Sequence, residues 1–153
     1  MELPTLVAVI SVSGSLLGTI VGGSIVTGGN YLLVRRREKV EFKTACRLIS
    51  AELQDAYHTV KFALENKRWW HPAEELTTEA WKQYKNILAP NLTYDAWSDV
   101  RLAAQDVKYA NLLSSAPRPQ DKTEEIFLEE MERALTRLIE SIERGRVALM
   151  PHL

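Results

Sequence analysis

The sequence holds little cysteine, little histidine and, over its first 34 residues, almost no charge. Cys46 is the single cysteine in 153 residues, which excludes an intrachain disulfide and any metal site built from cysteines. The three histidines, His58, His71 and His152, lie on separate stretches with neither an H-x-x-x-H nor an E-x-x-H spacing. No metal and no cofactor is therefore expected. A G-x-S-x-G turn and a phosphate-binding P-loop are also missing, and adjacent carboxylates such as Glu74–Glu75 and Glu129–Glu130 diverge in direction on a helix. These gaps argue against an enzyme and against a small-molecule substrate. A helical active site outside the familiar patterns is the least favoured reading.

Charge is missing from one region rather than from the chain. Residues 1–34 carry Glu2 alone; all 19 Lys and Arg lie at Arg35 or later, with 19 of the 20 acids. The downstream part is formally neutral, 19 minus 19, which disfavours nucleic acid as a partner. The uncharged run from Leu3 to Val34 is long enough to cross a hydrocarbon core of about 30 Å at about 1.5 Å per residue. A cleaved signal peptide would need a basic start and a small-x-small site after a short apolar stretch, whereas this chain starts MELP and stays apolar well beyond. A retained transmembrane helix is expected over residues 1–34. Arg35, Arg36, Arg37 and Lys39 flank it on one side only. The positive-inside bias places the N-terminus outside and the C-terminal part in the cytoplasm of a bacterial inner membrane. These basic residues, in a juxtamembrane stretch over 35–47, either fix topology or bind anionic headgroups of the membrane lipid. The sequon at Asn91 carries no weight in a cytoplasmic domain.

Within the apolar run, Gly14, Gly18 and Gly22 recur at steps of four and share one helix face. Ser11, Ser15, Thr19 and Gly23 form a second small-residue stripe beside it. Helices in lipid gain packing energy chiefly by close approach, so this glycine zipper points to association with a second copy or with another membrane protein.

Beyond the arginines the pattern is helical throughout, with no stretch of period two, and the expected fold is all-α. Phe42, Cys46, Ile49, Leu53, Ala56, Val60 and Ala63 recur at steps of three and four. With no glycine or proline from Tyr31 to His71, the membrane helix is expected to continue into this helix, which should end near Trp70 ahead of Pro72. A short helix over about Thr78–Leu88 carries Trp81, Tyr84 and Leu88. Thr93 is an N-cap candidate for a third helix with Trp97, Val100, Ala104, Val107 and Asn111, which stops near Ser115. Asp121 and Glu124 form a cap pattern before a last helix bearing Phe127, Met131, Leu135, Leu138 and Ile142. Residues 48–153 thus form a bundle of three to four helices with coiled-coil-like patterning. If successive long helices alternate in direction, the acidic start of the last one lies near residues 35–47. Cys46 fits a small buried position. Trp69 and Trp70 either cover the far end of the bundle, the favoured reading, or form a candidate partner patch.

The segment Arg68–Ala110 resembles a loose set of small bacterial single-pass membrane-anchored helical proteins. In these, a glycine-rich span and a basic stretch precede a tryptophan-containing helical domain. Trp70, Leu76, Thr77, Ala80, Trp81, Leu88, Ala89, Trp97, Ala103 and Ala104 carry the likeness. The resemblance implies the architecture and the bacterial setting and transfers no catalytic residue. The function expected is a membrane-anchored cytoplasmic protein-interaction module, a scaffold, adaptor or accessory subunit with an unknown cytoplasmic protein partner. The alternative is an oligomeric, holin-like pore packed through its small residues.

Overall fold

A computed structural model describes residues 3–70, 75–116 and 123–153, with the backbone alone for residues 3–29. Among the described residues the regular elements are all helical: α1 Leu3–Glu65, α2 Glu79–Leu88, α3 Tyr94–Ser115 and α4 Glu124–Leu149, closed by a 3-10 turn over Met150–His152. The chain divides into two compact units, residues 1–40 and 41–153. The first is the early part of α1. The second is the helical bundle.

In the second unit the apolar stripes read from the sequence form the core. Cys46, Ile49, Val60, Val100, Val107, Leu135 and Ile142 are all essentially inaccessible. Phe42 packs against the edge of this core. Burying such a stripe supplies most of a helix's stability in a bundle, since propensity alone is weak. Thr93 caps α3 as its position suggests, its hydroxyl accepting from the Ala96 amide at 3.3 Å. At α4 the N-cap residue is Thr123, whose side chain makes no capping bond; Asp121 lies outside the described residues.

Helix α1 ends at Glu65, earlier than Pro72 would require. The Lys67 amide donates to the Leu64 carbonyl at 3.2 Å and the Arg68 amide to the Ala63 carbonyl at 3.0 Å. With Lys67 at φ 51°, this is a Schellman turn whose left-handed position is filled by lysine instead of glycine. The early stop frees Trp69 and Trp70 to fold back over the core, where Trp70 is buried. No glycine marks the turn, so the sequence pattern did not reveal it.

The helix directions also differ from simple alternation. Phe42 meets His152 at 5.3 Å between ring centroids, and an Arg47 guanidinium nitrogen donates to the Leu153 carbonyl at 3.4 Å. The end of α4 therefore lies where α1 enters the unit. Its start, with Leu128 and Met131, lies beside Leu64 and Lys67 at the far end. The expectation that residues 124–132 sit near residues 35–47 is thus corrected for residues 41–47, the part of that stretch in this unit: some 31 Å of helix separates Leu128 from Leu149. The physical reason is α2. The chain descends through this short helix, so α3 starts again at the entry end and runs parallel to α1. Helix α4 then returns antiparallel to both.

Two long-range contacts hold the descending segment. Glu52 on α1 accepts from the Thr77 hydroxyl at 2.6 Å and from the amides of Ala80 at 2.8 Å and Trp81 at 3.2 Å. Its carboxylate thus caps α2, where the local N-cap Thr78 makes no side-chain capping bond. Asn111 near the end of α3 clamps Leu76, accepting from its amide at 3.0 Å and donating to its carbonyl at 2.8 Å.

Candidate functional site

Helix α3 turns alanines and valines to the core and leaves several larger side chains outside. Ala103, Ala104 and Ala110 face the core with Val100 and Val107, while Tyr109 is 61 % and Leu112 63 % exposed. The alanines are inside because α4 comes very close: a Cβ built on Gly145 would stand 2.7 Å from the Ala103 Cβ. Leu102, Tyr109 and Leu112 are left as a second apolar stripe on the outside.

Beside this stripe a groove of about 340 Å³ opens between α3 and α4, with Trp69 at its wall. Its apolar lining is Ala110, Leu113, Ala134 and Leu138, with Tyr109 at the rim. Asp106 of α3 and Arg137 of α4 supply opposite charges from the two walls. The Asp106 carboxylate accepts from the buried Ser141 hydroxyl at 2.6 Å, which fixes its orientation and satisfies the serine. Such a cleft suits an apolar side chain from a partner helix, with polar groups placed to orient it.

The two tryptophans proposed as cover or partner patch take different places. Trp70 is 6 % exposed and belongs to the core, whereas Trp69 is half-buried, packs edge-on to it at 5.3 Å and reaches the groove. Trp81 and Trp97 lie against one another at 5.1 Å at the edge of the core. Arg35, Arg36, Arg37 and Lys39 are all exposed. So are Tyr31, Leu32, Leu33 and Val34 just before them. The side chains of Ser11, Gly14, Ser15, Gly18, Thr19, Gly22 and Gly23 lie outside the described residues. Among the residues with described side chains, no helix is long and apolar enough to cross a membrane. Residues 3–29, the greater part of the candidate span, are not among them.

Cys46 is fully buried, and desolvation pushes its thiol pKa above the usual range. Among the described residues no group of three His, Cys, Asp or Glu converges as metal ligands would; His71 is outside them. The groove residues Asp106, Tyr109, Leu113, Ala134 and Arg137 were not singled out from the sequence. The signal available was the inverted size pattern of α3, alanines on the periodic stripe and leucines off it. Compared with protein-family models, with curated protein sequences and with solved structures, the chain matches none.

Proposed function

We propose that this chain is a single-pass, membrane-anchored helical module that binds another protein through the α3–α4 surface and acts by binding rather than by catalysis. The observation that carries the reading is the outward apolar stripe of α3, Leu102, Tyr109 and Leu112, beside the groove walled by Trp69. Leaving that much apolar surface in water forgoes burial worth roughly 25 cal/mol per Å², and a partner recovers it. Trp and Tyr at the groove are residue types that dominate binding energy at interfaces. For the anchor, the support is the uncharged run ending in exposed Tyr31–Val34 and followed at once by basic residues. Residues 41–153 then stand on the cytoplasmic side of a bacterial inner membrane, and the small-residue face of residues 11–23 joins the span to a second copy or another membrane protein.

The test is made in the native host with the full chain. It is expected to stay with membranes after alkaline carbonate washing. A photo-crosslinking residue at Tyr109 should give a discrete protein adduct that Leu112→Arg removes while the thermal midpoint holds. Release by carbonate would overturn the anchor. An adduct indifferent to Leu112→Arg would overturn the binding surface.

A further inference from the structure

The end of the second unit at which α1 enters combines exposed apolar side chains with cations. Tyr94 is 83 % exposed, Met150 56 % and Leu153 43 %. They share this end by register. Gly145 lies against Ala103; Met150 is five residues past Gly145, about 7 Å along α4, and Tyr94 is nine before Ala103, about 13 Å along α3 in the same direction. Leu153 is placed there directly, its carbonyl accepting from Arg47, beside the Phe42–His152 contact. Lys43 and Arg47 are exposed on the adjoining turns of α1. Between Glu41 and Arg47, the first turns of α1 in this unit, the chain carries Lys43 and Arg47 against Glu41, a balance of +1. Asp95 and Glu143 temper this at the same end of the bundle and Arg144 adds to it, whereas the Arg146 guanidinium lies over the Tyr57 ring further along α1. The far end is the more acidic one, with Glu124, Glu125, Glu129, Glu130 and Glu132 on the first turns of α4 against Lys67, Arg68 and Arg133.

We infer that this entry end is a bilayer-contact surface. Tyr94, Met150 and Leu153 enter the headgroup layer of an anionic membrane, and Lys43 and Arg47 engage its phosphates. The inference rests on the anchor reading above. Given that reading, the chain between Val34 and Phe42 reaches no further than about 28 Å even when fully extended, so this end stays close to the bilayer. Tyrosine, with an apolar ring and a polar tip, suits the interface, and apolar burial combined with cation–phosphate attraction is how peripheral surfaces bind anionic lipid. The acidic far end is repelled by the same potential, which selects which end docks.

The buried Cys46 makes a direct test practical, because an added surface cysteine will label in its place. The full chain is reconstituted in vesicles carrying nitroxide-labelled lipid, of phosphatidylcholine with or without phosphatidylglycerol. An environment-sensitive fluorophore is placed at Met150→Cys, Tyr94→Cys or, at the far end, Leu112→Cys. The expected result is blue-shifted emission and lipid quenching at the first two positions in anionic vesicles, lost in neutral ones, and no quenching at Leu112→Cys. Lys43→Glu should weaken the quenching at both entry-end positions. Protein that floats with the vesicles but shows no quenching at Met150→Cys overturns the inference and leaves the anchor standing. Equal quenching in neutral vesicles, or equal quenching at all three positions, overturns it as well. Protein that does not float with the vesicles overturns both.

Discussion

Glu52 belongs to α1 yet caps α2, holding a hydroxyl and two backbone amides with its carboxylate. A carboxylate at a helix start satisfies donors that the helix itself leaves unpaired, and it also complements the dipole. Glu52→Ala should therefore cost about 1–2 kcal/mol in urea unfolding, with Glu52→Gln costing less because one acceptor oxygen remains. Lys67 is the converse case, a residue less suited to its place than another would be. Its left-handed φ is one that glycine adopts without steric penalty. Lys67→Gly should raise stability by up to about 1 kcal/mol; an unchanged or lower unfolding midpoint would show that the turn is not strained. Thr93 could be read as a cap from sequence because its partner, Ala96, is three residues away. Glu52 could not, since the amides it holds lie 28 and 29 positions further on and nothing local marks it. Lys67 was equally hidden, because the usual glycine signal is missing.

At the scale of helices, the buried faces were legible and their directions were not. Phe42 through Ala63 and Phe127 through Ile142 gave the stripes because periodicity is a local property. Direction depends on which segment carries the chain back, and α2, only ten residues long, was the return path. A helix of that length is marginal in isolation, and its cap and its Asn111 clamp both come from elsewhere. Amides of α2 should accordingly exchange with deuterium faster than those of α3 and α4 by a local opening that leaves the rest folded. Asn111→Leu should speed that exchange selectively. Exchange of α2 at the same rate as α4 in both proteins would contradict this. The α3–α4 contact is of the opposite kind, a close approach of two long helices. The Gly145 position leaves 2.7 Å to Ala103, 3.3 Å to the Leu53 Cδ1 and 3.4 Å to the Asp99 carbonyl for an added Cβ. Gly145→Ala must therefore push the helices apart, and a loss of about 1–3 kcal/mol is expected despite alanine's better helix propensity. A stabilised variant would show that the contact yields.

For the second unit as a whole, α1 enters near Phe42 beside His152 and Leu153, which follow α4. Helices α1 and α4 run antiparallel between that end and the far one. Tension applied at Lys43 and Leu153 would therefore open their seam from one edge, breaking the Phe42–His152 and Arg47–Leu153 contacts first and reaching Leu53 and Gly145 only later. Tension applied at Lys43 and Leu112, on opposite ends of parallel helices, would instead load the packed face of the bundle along its length. In a single-molecule pulling experiment the first geometry should yield at clearly lower force than the second at equal loading rate, although the equilibrium stability is the same in both. Equal rupture forces would refute it. Resistance to pulling is governed by the unfolding barrier along the pulled direction, so a fold that is cooperative toward heat or urea behaves as a zip fastener toward a load on its two ends.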